Sequence, residues 1–184
     1  MDYSLIRHPS SPIPAIESIG VSVGRVDSSR LRFRYRVTGD ISSLVMPVLM
    51  APERAEELWM TTCFEAFFQK PGQTRYAELN FSPSTRWAGY VFEDYRAQRR
   101  DFSNSTLPRI DLAAGIDSFE LVATIDVAGN VDEWRDVDLR LGLSAVIETR
   151  DGEKSYWALA HPPGEPDFHQ GDCFTGILKA PGEA

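Results

Sequence analysis

Two carboxylates and an amide stand at alternating positions in two neighbouring apolar segments. Glu65 lies within residues 58–68, and Glu78 and Asn80 lie within residues 76–84, each flanked by apolar residues. A carboxylate inside such a segment needs a hydrogen-bond partner or water, and an ion pair with an arginine is one alternative. Carboxylate and amide groups also bind hydroxyls, so this spacing favours a site for a hydroxyl-rich ligand.

Aromatic rings near these polar residues add the second requirement of sugar binding. A sugar presents a CH face that packs on flat rings, and Trp59, Tyr76 and Trp87 have the necessary chemistry. We expect Trp87 or Trp157 to supply the stacking face and Arg96 a charge-assisted contact. The alternative for each tryptophan is burial in the core, where this residue type is usually found.

The segment 161–173 is a second concentration of polar chemistry. His161, Asp167, His169 and Cys173 could in principle ligate zinc, but their spacing matches no established zinc pattern. No metal site is therefore predicted. A packed loop that closes one end of the fold is favoured instead, and because such loops often line ligand sites, His161 and His169 are expected to be polar contacts.

A catalytic site has less support in the sequence. Glu65 with Glu78, or Glu65 with Glu148, could form the carboxylate pair of a glycoside hydrolase. The chain has no Gly-x-Ser-x-Gly elbow, no phosphate-binding glycine loop and no His-Glu-x-x-His helix. We therefore predict no catalytic residue, include Glu148 among the ligand contacts, and keep a sugar-acting hydrolase as an alternative.

The elements that position these residues follow a period of two. Charged and apolar residues alternate strictly over 30–37, which is typical of a strand with one buried face. Pro71-Gly72 and Asp151-Gly152 predict turns. About nine strands are expected, near residues 20–24, 30–37, 64–68, 75–82, 87–92, 109–112, 119–125, 139–149 and 155–160.

This pattern predicts an all-β fold, an antiparallel β-sandwich of jelly-roll type. We expect one domain over residues 1–184, with a core from about 15 to 175. One short helix is expected at 52–58 and a long loop at 93–108.

Amino-acid composition limits the classes of molecule that this protein is expected to bind. The 184 residues carry a net charge of -8, which disfavours nucleic acid and anionic membranes because both require a basic surface. The first residues lack the pattern of a signal peptide, so a cytoplasmic location is expected. The two cysteines, Cys63 and Cys173, are expected to be thiols in that compartment.

Several motifs together resemble bacterial DOMON-like proteins, over roughly Val21 to Phe174. The matching residues are Leu58-Trp59, Thr62-Cys63-Phe64-Glu65, Glu78-Leu79-Asn80-Phe81-Ser82-Pro83-Ser84, Trp87-Ala88, Tyr90, Ala145-Val146-Ile147-Glu148, Tyr156-Trp157-Ala158-Leu159, His161-Pro162 and Pro166-Asp167-Phe168-His169. The family is similar in fold to family 9 carbohydrate-binding modules and to DOMON domains that bind haem or sugars.

The resemblance implies a β-sandwich and a sugar held between aromatic rings by acid, amide and arginine side chains. By motif position, Glu65 matches the acid of the family's first Glu-bearing strand, and Glu78 and Asn80 lie in the strand that follows. Haem-binding relatives hold iron with methionine and histidine, but no such pair can be placed here, so no cofactor is predicted. We expect non-catalytic binding of a small polar ligand, a saccharide or sugar derivative. A carrier of haem or another cofactor and a protein-interaction module are the alternatives.

Overall fold

The computed structural model describes residues 1–12, 15–103, 106–128, 134 and 136–180. Within them, the chain forms twelve antiparallel strands. In chain order these are β1 (Asp2–Arg7), β2 (Ile16–Arg25), β3 (Arg30–Gly39), β4 (Cys63–Gln69), β5 (Tyr76–Phe81), β6 (Trp87–Phe92), β7 (Arg100–Asp101), β8 (Arg109–Ala114), β9 (Ser118–Asp126), β10 (Leu139–Glu148), β11 (Lys154–Ala158) and β12 (Gly176–Leu178). Across the described residues, no helix has the length and apolar character needed to cross a membrane.

The strands form two sheets that share β1. The first sheet runs β8-β9-β3-β2-β1, and the second runs β7-β6-β5-β4-β10-β11, with β12 also paired to β10. Residues Asp2 to Leu5 of β1 pair with β2, whereas Ile6 and Arg7 pair with β11. Strand β1 therefore connects one layer to the other, and the predicted antiparallel β-sandwich is confirmed.

The core lies between the two sheets. Strand β3 alternates as its sequence predicts, with its apolar residues buried and its arginines exposed. The Phe33 ring lies 6.4 Å from that of Phe68 and 5.8 Å from that of Phe81, between ring centroids. The hydroxyl of Tyr35 donates to the main-chain carbonyl of Glu65 at 2.7 Å. Each ring buried in this way contributes about 1.5–3 kcal/mol.

The second sheet is buried on both faces. The pleat of β4 directs Phe64, Ala66 and Phe68 into the core, so Cys63, Glu65 and Phe67 point outward, yet all seven residues of β4 are buried. A second apolar cluster covers the outward side chains. It contains Leu58, Cys63, Phe67, Tyr76, Ala88, Tyr90, Phe92 and Phe174. The outer face of this sheet is therefore an interior surface.

The largest local error of the sequence prediction concerns residues 52–58. They form no α-helix, and only a 3-10 turn at Leu58–Met60 is present. A helix of two turns cannot repay its nucleation cost without packing. The segment instead lies beside β6, where the Ala55 N–H donates to the Trp87 carbonyl at 2.9 Å and the Trp87 N–H donates to the Glu53 carbonyl at 3.1 Å.

Three short strands were not predicted: β1, β7 and β12. Strand β7 lies inside the expected loop 93–108, where Asp101 pairs with Tyr90. The Asp151-Gly152 turn is confirmed, because Glu148 pairs with Lys154 and Gly152 has the left-handed φ of 87° that such a turn requires.

Candidate functional site

Four polar side chains meet on the outer face of the second sheet. The strand register places Glu65 opposite Asn80 of β5 and opposite Ser144 of β10. Glu78 precedes Asn80 by two residues in β5, so its side chain lies on the same face. Each of the four is at most 5% exposed. We call Glu65, Glu78, Asn80 and Ser144 the polar cluster; the structure thus brings together three predicted residues.

The polar cluster is held by hydrogen bonds from uncharged groups. Asn80 Nδ2 donates to Glu78 Oε1 at 2.6 Å, and Ser144 Oγ donates to Glu65 Oε2 at 3.1 Å. The thiol of Cys63 donates to Asn80 Oδ1 at 3.7 Å. Among the described residues, no lysine or arginine forms an ion pair with Glu65 or Glu78. The alternative that Glu65 forms a structural ion pair with an arginine is therefore not supported.

Burial is the main influence on the ionisation of Glu65 and Glu78, since neither carboxyl forms an ion pair with a described lysine or arginine. Burial raises the pKa of Glu65, and the nearby charge of Glu78 raises it further, although the Ser144 hydrogen bond and Arg96 oppose the change. Burial likewise raises the pKa of Glu78, against the hydrogen bond from Asn80. The protonated carboxyl is thereby favoured at both positions, and it can donate as well as accept a hydrogen bond.

His169 packs over the polar cluster on the outer side of the second sheet. Its Nδ1 forms a hydrogen bond with the Tyr76 hydroxyl at 2.7 Å, and its Nε2 lies 3.7 Å from Glu78 Oε2. Burial lowers the pKa of His169 to about 4, with Arg96 adding to the shift, so the ring is neutral near pH 7. The contact between His169 and Glu78 is therefore not an ion pair near pH 7.

Two chain segments cross the outer face and join above it. We call residues 93–99 and 161–174 the cover. Asp167 links them, because it accepts from the Tyr95 hydroxyl at 2.6 Å, from Arg96 Nη2 at 2.8 Å and from the His169 N–H at 3.0 Å. The main-chain N–H of Arg96 also donates to the Tyr76 hydroxyl at 3.1 Å. The guanidinium of Arg96, a predicted ligand contact, is thus paired within the cover.

The expected stacking role of Trp87 and Trp157 is not supported. Both rings lie on the core side of the second sheet, and they are 4% and 5% exposed. Trp157 Nε1 donates to Ser155 Oγ at 3.0 Å. The pleat sends both side chains away from the outer face, so neither ring is accessible to a ligand bound there.

His161 and Glu148 lie apart from the polar cluster. His161 Nε2 is 2.9 Å from the Ile6 carbonyl, and its ring packs against His8 with centroids 4.8 Å apart. Glu148 ends β10, where its N–H donates to Thr62 Oγ1 at 3.2 Å. Within the described residues, no three His, Cys, Asp or Glu side chains are placed to hold a metal ion. Both cysteines are buried and free.

The sequence analysis did not predict that Trp59 is exposed on the surface. Its side chain is 54% exposed, whereas the adjacent Leu58 is buried in the apolar cluster beside Cys63. The turn that carries it packs on β4 and β5. The acidic Glu56-Glu57 just before it, which disfavours burial, was the one signal that this tryptophan lies at the surface.

Comparisons with known proteins identify the fold. No protein-family model and no curated protein matches this sequence. Solved structures that match include a candidate carbohydrate-binding protein from Bacteroides uniformis, with a TM-score of 0.68 and 16% identity, over 98% of this chain and 86% of that one.

Two structures of a family 9 carbohydrate-binding module from Caldicellulosiruptor kristjanssonii also match. The complex with glucose has a TM-score of 0.54 and 12% identity, over 95% of this chain and 81% of that one. The complex with cellotriose has a TM-score of 0.52 and 11% identity, over 95% and 80%. At these identities the likeness establishes the fold, which is the β-sandwich of family 9 carbohydrate-binding modules.

Proposed function

We propose that this protein binds a saccharide or sugar derivative without changing it chemically. The observation that carries the proposal is the polar cluster, in which two carboxyls, an amide and a hydroxyl share one sheet face. Protonated carboxyls and amides are both donors and acceptors, which matches the dual character of sugar hydroxyls. A neutral ligand suits such a site because it brings no charge into a buried environment.

The structural comparisons support the same class of ligand. The family 9 module matched here was solved with glucose and with cellotriose. A shared fold does not by itself dictate function, so this support extends to the class of ligand and not to its identity. The motifs that resemble DOMON-like proteins agree with the proposal, because sugar binders occur among the DOMON domains that this family resembles in fold.

Trp59 provides the stacking face in this proposal. It is the exposed tryptophan at the edge of the outer face, next to the buried Leu58 that contacts the cluster around Cys63. In this proposal the sugar ring packs on Trp59 and its hydroxyls bond to Glu65 of β4 and Asn80 of β5, the two strands that the turn at Leu58–Met60 contacts. The ligand reaches these groups when the cover separates, and the bonds of Asp167 to Tyr95 and Arg96 are exposed contacts that can break.

The experiment is isothermal titration of the full chain with glucose, cellotriose, glucosamine and a nucleotide sugar. We expect saturable binding of at least one of them, weakened roughly tenfold or more in Trp59→Ala, since stacking and buried area together contribute more than about 1.4 kcal/mol. Val48→Ala is the matched control, because Val48 is exposed in the same chain segment.

Glu65→Gln tests the polar cluster in the same titrations. Its amide keeps the size of the carboxyl but replaces one oxygen with an NH2 group, which donates and cannot accept. A ligand hydroxyl that donates to that oxygen therefore loses its acceptor, so binding weakens while folding is retained. Glu148→Gln is its control, because Glu148 lies outside the polar cluster. The proposal fails if no sugar binds or if all four variants bind equally. Shortening of cellotriose during incubation would instead support the hydrolase.

A further inference from the structure

The outer face of the first sheet carries a row of four arginines. Arg30, Arg32, Arg34 and Arg36 alternate along β3 with the buried Leu31, Phe33 and Tyr35, so every guanidinium lies on the solvent side. Alternate residues of a strand are separated by roughly 7 Å, so the row is a nearly straight line of evenly spaced positive charges. We call these four residues the arginine row.

The described residues supply ion pairs to two of the four members of the arginine row. Arg30 pairs with Asp27 at 2.6 Å, and Arg34 lies 3.5 Å from Glu120. For Arg32 and Arg36, the described part of the chain supplies no ion pair. The chain has 27 acidic and 19 basic residues, so a shortage of acids does not explain these two unpaired cations.

The neighbouring strands leave the arginine row accessible. On the β2 side, Gly24 lies opposite Arg32 and Gly20 opposite Arg36; on the β9 side, Thr124 lies opposite Arg32 and Glu120 opposite Arg36. Short side chains therefore flank Arg32 on both sides and do not cover its guanidinium. A trough with a volume of about 500 Å³ runs over this surface. It is lined by Val26, Arg30, Arg32, Arg34, Thr106, Leu107, Arg109, Asp111, Val122, Thr124 and Asp126.

We propose that this trough is a second binding site, for an anionic oligosaccharide that carries carboxylates, such as a uronic-acid oligomer. The planar guanidinium matches a carboxylate with two parallel hydrogen bonds, and Arg32, which lines the trough and has no ion pair within the described part of the chain, has those donors free. Arg109 adds a cation at the edge of the trough, although Asp111 pairs with it at 2.8 Å.

Other anionic partners fit this surface less well. Protein interfaces are commonly anchored by aromatic residues, whereas the apolar residues that line the trough are aliphatic: Val26, Leu107 and Val122. Single-stranded nucleic acid needs aromatic faces on which its bases stack, and no ring lines the trough. A uronic-acid oligomer can instead be held by charge-assisted hydrogen bonds to its carboxylates, so this trough does not depend on the stacking face that a neutral sugar needs.

The experiment is titration of the full chain at low ionic strength with tetragalacturonate and with its methyl ester, which has the same sugar rings without the charges. We expect the tetramer to bind, more weakly as salt is added, and the ester not to bind. Arg32→Gln should weaken binding roughly 5- to 50-fold, because a charge-assisted hydrogen bond is lost. Arg150→Gln, an exposed arginine elsewhere, should leave it unchanged.

Other results overturn the proposal. It is wrong if the tetramer does not bind, if the ester binds as tightly, or if Arg150→Gln weakens binding as much as Arg32→Gln. Equal or tighter binding of a poly-glutamate peptide would assign the arginine row to acidic protein segments instead. Circular dichroism confirms that each variant is folded, and glucose affinity reports on the polar cluster separately, since that site lies on the other sheet.

Discussion

The two outer faces of this sandwich obey the same strand alternation but have opposite environments. On the second sheet, Glu65 and Glu78 point outward and are 3% and 5% exposed beneath the cover. On the first sheet, Arg32 and Arg34 also point outward and lie in solvent. The pleat fixes which side chains leave the core, but a covering segment decides whether they meet water. Polar residues on the two faces therefore differ in ionisation, in tolerance of added atoms and in the stabilisation that each contact provides.

The largest expected difference is the pH dependence that the covered face gives to stability. Burial raises the pKa of Glu65 to about 8 and that of Glu78 to about 7, above the value of about 4.3 for unfolded glutamate. Between a pH of about 4.3 and these raised pKa values, the folded chain therefore binds more protons than the unfolded chain. Stability should therefore fall as pH rises through that window, by up to about 1.4 kcal/mol per pH unit for each group.

His169 acts in the opposite direction over part of this range. Its pKa is lowered to about 4, so the unfolded chain, with a histidine pKa near 6.5, binds more protons between pH 4 and 6.5. Stability gained from His169 rises over that interval and is constant above it. The interval from pH 6.5 to 8 therefore isolates the two glutamates.

Urea unfolding at a series of pH values measures this effect. The double variant Glu65→Gln with Glu78→Gln should lose the decline between pH 6.5 and 8, whereas Glu120→Gln on the first sheet should keep it. Glu120 is the matched control because its carboxylate remains partly exposed beside Arg34. Equal slopes for the wild type and the double variant would contradict the assigned ionisation.

A smaller effect is expected from adding one methyl group to each face. At Gly142, on the covered face, a new Cβ would lie 2.5 Å from Cδ1 of Phe174. At Gly24, on the exposed face, it would have no neighbour within 4 Å. Gly142→Ala should cost about 1–3 kcal/mol because the cover must shift, while Gly24→Ala should be neutral or stabilising by up to about 1 kcal/mol.

Thermal and urea unfolding of these two variants compare the faces directly. The pair is matched because both positions are strand glycines on the outer side of a sheet. The same measured change in stability at both positions would mean that Phe174 does not pack firmly on β10.

The exposed and covered faces also show what the sequence could predict. Alternation located β3 and the outward set of Glu65, Glu78 and Asn80, because period two is a local property of the chain. It could not predict the cover, since residues 161–174 pack on β4 and β5 across a long sequence separation. The sheet face that carries Glu65 is therefore covered, which strand alternation alone does not reveal.

The same limit explains the tryptophans and the short strands. Trp87 and Trp157 are core residues because of strand phase, yet the sequence offered them and Trp59 as chemically equivalent rings. Strands β7 and β12 have two and three residues, too few to show a period. Residues 52–58 have the early proline of a helix start, so a helix was expected there. The segment instead forms main-chain hydrogen bonds with β6, a tertiary contact that no local pattern contains.

The smallest expected effect compares one contact on each face. Arg34 and Glu120 form an ion pair at 3.5 Å with side chains 56% and 26% exposed, so Arg34→Gln should change the free energy of unfolding by less than about 0.5 kcal/mol. Ser144→Ala removes an uncharged donor, but it leaves Glu65 Oε2 without that donor in a buried site and should cost about 1–3 kcal/mol. Urea unfolding at pH 7 measures both. A larger loss for Arg34→Gln than for Ser144→Ala would show that charge, rather than burial, determines what a polar contact contributes here. The expected order follows because water substitutes for the lost contact on the open face, whereas the cover excludes it from the other.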